Sequence, residues 1–419
     1  ALWGNDQGQR ATFYNVSVFA RGKTSDITTA LGPIVVPNSG SYDLSLLLAV
    51  APPPSITVEE YLAQLQAAVA SAQAAADRAE AVAPFGTRAE LVTWAASNTP
   101  VDGREYRAGL SYVGSTGATD IADLPGLLPL GDVSFDHFNV PATGAETLLA
   151  VAMQWSIDNS RKLKASGSYE LDGQVTLDFD GGNLIWDTLQ CTFTASATFP
   201  GSGTRMFTIT GGQGDEVTFD WNMGRFFGGN MPSEGTLSSN DVVSISVSSS
   251  TITTTLRNAY FDMSDGVNPD YRLAGGDTCI LVNSANINLD NIVGVGAEDV
   301  LVYVTGSPST SGNRRGSLVA KGLYAKGCRN GAIQVKRDFE MVDIEYIAED
   351  CLMGGGVGPA GDSGGNTFTT SVTAGRIKGT TKNCAYPFHG QRSIGLHVEV
   401  EAMDIGFYLP ADGATGTAE

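Results

Sequence analysis

Between Thr57 and Pro84 the chain carries a heptad seam without a slip, and no other feature restricts its fold as much. Val58, Leu62, Leu65, Val69, Ala72, Ala76, Ala79 and Ala83 alternate at spacings of four and three. That alternation keeps one narrow apolar stripe facing a partner helix, which is the condition for a coiled coil. Thr57 with Glu60 forms a capping box at the start, and Pro84 stops the helix. A helix with only this stripe buries little by itself, so the seam predicts an oligomer whose chains run side by side. A helix packed on its own domain is the alternative, still open at this point.

The rest of the chain is β in character. Gly makes up 51 of the 419 residues and only 17 % are charged, against a usual Gly share of ~7 %. Short β-branched runs separated by turn residues predict a mainly β protein, either several domains or one elongated repeat domain. The net charge of −20 would repel a phosphate backbone and argues against nucleic acid, while it favours solubility of a large assembly. No run approaches the ~18 apolar residues of a membrane span, so no membrane insertion is expected. Cys191, Cys279, Cys328, Cys351 and Cys384 are odd in number and lack a C-x-x-C pair. They fit folding in a reducing cytoplasm, with thiols as small core hydrophobes. His137, His389 and His397 have no metal-ligand spacing, and neither a metal nor a cofactor is expected.

Composition divides the chain into four segments. Residues 1–51 alternate like strands and contain the turn Pro37-Asn38-Ser39-Gly40, which predicts a small β module. Residues 52–84 are a stiff Pro52-Pro53-Pro54 tether and the seam helix. Residues 85–144 predict a short α/β segment, with a helix opened by Thr87 and Glu90 and running through Leu91, Val92 and Trp94. Strand-like pieces follow at 104–113. Residues 145–419 begin with an amphipathic helix over 145–159 that puts Leu148, Leu149, Ala152, Trp155 and Ile157 broadly on one face. From about Gly167 onward only short apolar runs between Gly, Asn and Asp remain.

Within that last segment five short units repeat: 296–300, 324–328, 347–351, 380–384 and 401–405. Each ends in a turn residue (Asp299, Gly327, Asp350, Asn383, Asp404) followed by a small apolar one (Val300, Cys328, Cys351, Cys384, Ile405). A period of roughly 20–30 residues with a turn residue at fixed phase predicts a β-solenoid whose like positions stack. The outward positions would then form a ladder of alternating sign, Glu298, Lys326, Glu349, Lys382 and Met403.

These segments also carry a family resemblance. Phe85-Gly86-Thr87-Arg88-Ala89, then Ile121-Ala122-Asp123-Leu124-Pro125-Gly126-Leu127-Leu128-Pro129-Leu130-Gly131, then His137-Phe138, resemble the neck of bacteriophage tailspike proteins. Ala145-Glu146-Thr147 through Trp155, Asn159-Ser160-Arg161 and Gly167-Ser168-Tyr169-Glu170-Leu171 are similar to the lead-in of their right-handed parallel β-helix, the pectate-lyase-like fold. The likeness covers roughly 85–175 by motif and 175–410 by architecture. One departure is Gly144-Ala145-Glu146, where the family has Asp residues before the Thr of the cap helix. The resemblance implies a parallel homotrimer and attachment to a phage tail or baseplate through residues 1–51. It further implies a place in the virion tail after assembly in the bacterial cytoplasm, and recognition or cleavage of host surface polysaccharide. Gly416-Thr417-Ala418-Glu419 shows no end cap, so a longer parent chain is expected.

Cleavage would need paired carboxylates, at ~5–5.5 Å or ~6.5–9.5 Å, or a base with a cation for lyase chemistry. Asp338, Glu340, Asp343 and Glu345 beside Lys336 and Arg337 offer acids, but no spacing selects a pair, and the catalytic residues stay unknown. For sugar binding the best segment is Tyr260, Asp262, Asp265, Asp270, Tyr271 and Arg272. Its two flat rings can stack on sugars while its charged groups hydrogen-bond hydroxyls. Three functions compete: a glycan-binding tailspike, with or without depolymerase activity; a non-enzymatic tail fibre or adaptor; and a cellular pectate-lyase-like enzyme. The seam and the N-terminal module speak against the third, because a monomeric lyase needs neither.

Overall fold

From Leu163 onward buried and exposed residues alternate along strand after strand, so each strand commits one face to an interior. The structure, a computed structural model, describes residues 14–21, 26–34, 66–67, 83–115, 121, 123–180, 182–200, 203–211, 218–231, 241–249, 251–264, 278–305, 316–336, 339–358, 372–390 and 395–404. The protein is mainly β, its sheets are mostly parallel, and the arrangement is compatible with a solenoid. Two compact units divide the chain: Ala1–Phe85 with Arg104–Arg107, and Gly86–Gly103 with Ala108–Glu419.

In the first unit Tyr14–Arg21 and Asp26–Ile34 form an antiparallel hairpin with a register shift between Val16 and Ser17. Gly32-Pro33 lies inside the second strand, with Pro33 opposite Asn15. The last member of the predicted seam does not continue a helix. Ala83–Pro84 is extended and pairs in parallel with Tyr106 and Arg107. Proline disfavours the helical region for the residue before it, which accounts for the extended Ala83. Gln66 and Ala67, between two seam positions, are helical; the seam residues from Val58 to Ala79 lie outside the described residues.

The second unit opens with helix α1, Arg88–Ala95, where Thr87 accepts from the Glu90 N–H (3.2 Å) and Glu90 accepts from the Gly86 N–H (2.8 Å). Residues far apart in sequence then converge on Arg88. It binds both Asp123 oxygens at 2.6 Å and the His137 carbonyl at 3.0 Å. Ser134 N–H donates to His137 Nδ1 (3.0 Å), Tyr112 packs edge-on against the ring, and burial holds the His137 pKa below its ordinary value. Thr87, Arg88, Asp123 and His137 therefore tie this segment together structurally.

Helix α2 runs Glu146–Asp158 and buries Leu149, Ala152, Met153, Trp155, Ser156 and Ile157. Leu148 is only half-buried, while Met153 and Ser156 join the inner face. Ser156 is tolerated there because its hydroxyl donates to the Met153 carbonyl (2.7 Å) and accepts from Trp186 Nε1 (2.9 Å).

Beyond α2 the described strands alternate between two parallel sheets, except that Phe219–Asn222 and Arg225–Phe227 follow each other in the same one. A sheet of long strands takes Leu163–Leu171, Leu184–Ala195, the pair Phe219–Asn222 and Arg225–Phe227, then Thr253–Asp262, Asn286–Val295, Gly316–Lys326, Phe339–Glu349, Val372–Lys382 and Leu396–Met403. A sheet of short strands takes Val175–Asp178, Phe207–Gly211, Val243–Val247, Thr278–Asn283, Val300–Thr305, Ile333–Lys336, Gly355–Gly358 and His389–Gly390. Register puts like residues above one another, as in the buried column Ile209, Ile245, Val282, Val304, Val335 and Val357.

The predicted turn position stands in four of the five units, and the buried position after it in three. Gly327, Asp350, Asn383 and Asp404 all have left-handed backbone (φ 61, 55, 53 and 49°), as turn residues of this type tolerate. The first unit is out of phase by three residues. Val295 pairs with Lys326, so Gly296 (φ 73°) takes the turn and Ala297 the inward position above Cys328. Val300 instead begins the next short strand. The outward ladder is accordingly Val295, Lys326, Glu349, Lys382 and Met403, without Glu298. Glu349 accepts from Lys382 (3.2 Å), Lys326 (3.5 Å) and the Tyr324 hydroxyl (2.8 Å). All five thiols are buried and free, and burial pushes Cys191 and Cys328 up to about 12. Ile405 lies outside the described residues. No helix among them is long and apolar enough to cross a membrane.

Candidate functional site

Several long strands bend midway, and the bend makes a groove. Asn258 and Asn291 take left-handed backbone (φ 55° each) and Gly322 does the same (φ 64°), at successive levels of the stack. Asn tolerates this conformation because its amide can bond locally. Here the amides form a ladder: Asn291 donates to Asn258 (2.9 Å), Asn258 to Asn222 (2.9 Å) and Asn222 to Asp187 (2.8 Å). One level earlier the strand breaks at Met223-Gly224. A side chain at Gly224 would run into the Thr188 and Cys191 carbonyls, so only glycine lets the backbone pass.

On the outer side of the bend lies an open depression of about 600 Å³. The residues after each bend reach it in register: Thr192, Arg225, Tyr260 and Val293 stand side by side on four neighbouring strands. Gln190 and the bend residues Asn258 and Asn291 complete its polar lining, and Leu189 adds an exposed apolar edge. The column continues through Tyr324, Ile347 and Thr380, which line a second depression of about 300 Å³ together with Glu345 and Lys378.

Tyr260 is half-buried, and its hydroxyl reaches Asp262 at 3.5 Å. Burial first, then the Asp262 carboxylate, raise its pKa above the ordinary value, so it stays a neutral hydrogen-bonding phenol. Asp262 Oδ1 accepts from the Ser264 N–H (3.0 Å) and from the Ser264 hydroxyl. Of the six residues predicted for glycan binding, the structure thus brings Tyr260 and Asp262 together. Asp265, Asp270, Tyr271 and Arg272 lie outside the described residues.

The second group of acids does not assemble as sequence proximity suggests. Lys336 belongs to the short-strand sheet, whereas Glu340, Asp343 and Glu345 lie on the next strand of the long-strand sheet. Asp343 and Glu345 are matched to cations on adjacent strands, Lys321 (2.7 and 3.2 Å) and Arg376 (3.0 Å to Glu345). Such outward cross-strand pairs stabilise a sheet. Asp338 and Arg337 lie outside the described residues.

Arg225, Thr192 and Gln190 were invisible as site residues because nothing local marks them. The bends did leave a trace: Arg257-Asn258-Ala259 and Asp290-Asn291-Ile292 share a charged–Asn–apolar pattern two residues before the groove position. No protein-family model matches the chain, and no curated protein matches its sequence.

Proposed function

We propose that this protein is the receptor-binding component of a bacteriophage tail, a tailspike or tail fibre that recognises host bacterial surface polysaccharide. In this reading the stacked sheets are a right-handed parallel β-helix and the seam between Val58 and the end of its helix holds three chains in parallel. Residues 1–51 dock on the tail or baseplate of the virion. The supporting observation is the groove at the strand bends. It combines a half-buried aromatic ring (Tyr260), amides (Gln190, Asn258, Asn291) and a guanidinium (Arg225) on rigid strands. Rings that offer one apolar face, together with dense amide and hydroxyl groups, suit a ligand that is apolar on its ring faces and hydroxylated at its edges.

Tyr260→Ala tests this directly. Binding to purified host surface polysaccharide should weaken about tenfold, the size of one lost aromatic or hydrogen-bonding contact, with the protein still folded at the assay temperature. Unaltered affinity would move recognition elsewhere. Mass measurement in native solution tests the assembly, and a monomer or dimer would overturn the trimer.

A second reading, a non-enzymatic fibre or adaptor, draws on the ion pairs of Asp343 and Glu345. Acids held in such pairs serve the sheet and not a sugar. Release of reducing or unsaturated sugars from host envelope would separate a depolymerase from this alternative.

A further inference from the structure

Reading the groove as a glycan site leaves open which glycan, and charge narrows it. Elsewhere on the outer face of the long-strand sheet several charges are paired. Asp220 pairs with Arg257 (2.7 Å), Asp343 and Glu345 with Lys321 and Arg376, and Glu349 with Lys326 and Lys382. The larger depression departs from this pattern. Among the described residues its lining holds one cation, Arg225, and no carboxylate, in a chain of net charge −20.

Arg225 is exposed and stands between Thr192 and Tyr260 on the neighbouring strands, and no salt bridge among the described residues involves it. The nearby Asp262 carboxylate is turned to Ser264 and the Tyr260 hydroxyl. A guanidinium is a flat fork that grips a carboxylate or phosphate through two parallel hydrogen bonds. Beside it Tyr260 offers a ring face, and Gln190 offers an amide. A ligand that uses all three must carry an anionic group, an apolar ring face and hydroxyls on one small unit.

We infer that the larger depression binds an acidic sugar residue of the host polysaccharide, its carboxylate or phosphate held by Arg225 and its ring laid against Tyr260. The inference rests on the glycan reading above, and the test separates the two. Wild-type full-length protein, Arg225→Lys and Arg225→Gln are titrated by calorimetry with purified bacterial surface polysaccharides. The set comprises uronate-bearing, phosphodiester-bearing and neutral polymers, at low and at raised salt. Unfolding curves should coincide, because Arg225 is exposed.

The expected result is binding of acidic polymers that weakens with salt and falls about tenfold or more in Arg225→Gln, as for a lost charge-assisted bond. Arg225→Lys should fall between, since an ammonium keeps the charge and loses the fork. Carboxyl reduction of the polymer abolishes binding if a uronate is the ligand. Hydrolysis of its phosphodiesters does so if phosphate is. Acidic-polymer binding that survives Arg225→Gln unchanged, or binding confined to neutral polymers, overturns the charge inference alone. Failure of every polymer to bind overturns the glycan reading beneath it.

Discussion

One interior column of the stack changes character halfway along. Phe193, Phe226 and Phe261 occupy it on three successive strands, with ring centroids 5.3 and 4.8 Å apart. The next four levels hold Gly294, Ala325, Ala348 and Thr381. All seven are buried, so the small residues do not mark a hollow. At the level of Gly294 the volume is supplied from across the interior. A Cβ on Gly294 would strike Leu301 of the short-strand sheet. Near the beginning of the stack the long strands bring the bulk, with Trp186 and Trp221 edge-to-face at 5.2 Å. Further on, at the level of Gly294, Leu301 of the short-strand sheet does. A close-packed interior fixes the sum of volumes at each level and leaves open which wall contributes it.

The largest expected difference between the two ends follows from this. Phe226→Ala removes a ring that touches Phe193, Phe207, Trp221 and Phe261 and should cost roughly 3–5 kcal/mol. Ala348→Gly in the same column should cost about 1 kcal/mol or less. Equal losses in denaturant unfolding would break the comparison. Gly294→Val sharpens it. Overpacking against Leu301 should cost about 1–3 kcal/mol, and adding Leu301→Ala should recover part of that loss. Strict additivity of the two changes would mean that they do not share the space.

The two ends also differ in the sign of their pH response. Toward the aromatic end Asp241 is buried beside Arg205 (3.0 Å), and burial raises its pKa to about 6. Its folded value exceeds its unfolded one, so its contribution is full below about pH 4 and is lost as the pH rises through 6. Asp241→Asn should flatten stability over that window, by about 1–3 kcal/mol. Toward the small-residue end Glu349 is held below the usual carboxylate range by the Tyr324 hydroxyl and Lys382. Its contribution is present at neutral pH and is lost as the pH falls through its lowered value. Glu349→Gln should cost less than about 1 kcal/mol, because the group faces solvent and salt screens it. Parallel pH profiles for the two variants would contradict these opposite environments.

How much of this was legible depended on how far each interaction reaches along the chain. Thr87 and Glu90 announced α1 because a cap is closed within four residues. Gly327, Asp350, Asn383 and Asp404 announced their turns because a left-handed backbone is a property of one residue. The same logic misplaced the first repeat unit. Asp299 is as plausible a turn residue as Gly296, and only pairing of Val295 with Lys326 separates them. The seam misjudged Ala83 for a local reason that was available, the proline beside it. In the candidate site Tyr260 and Asp262 were legible as a ring and an acid two apart on one strand. Arg225 was not, because it meets Tyr260 from 35 residues away through strand register.

The sequence by itself determined the β-rich composition, the in–out alternation, the helix starts and the turn positions, since each rests on backbone preferences and hydrophobic periodicity within a few residues. Only the tertiary structure decided which strands lie side by side, which wall fills each level of the core, and that Thr192, Arg225, Tyr260 and Val293 share one groove. Those outcomes follow from parallel register between segments some 30 residues apart, where a one-residue slip would send every side chain to the opposite face.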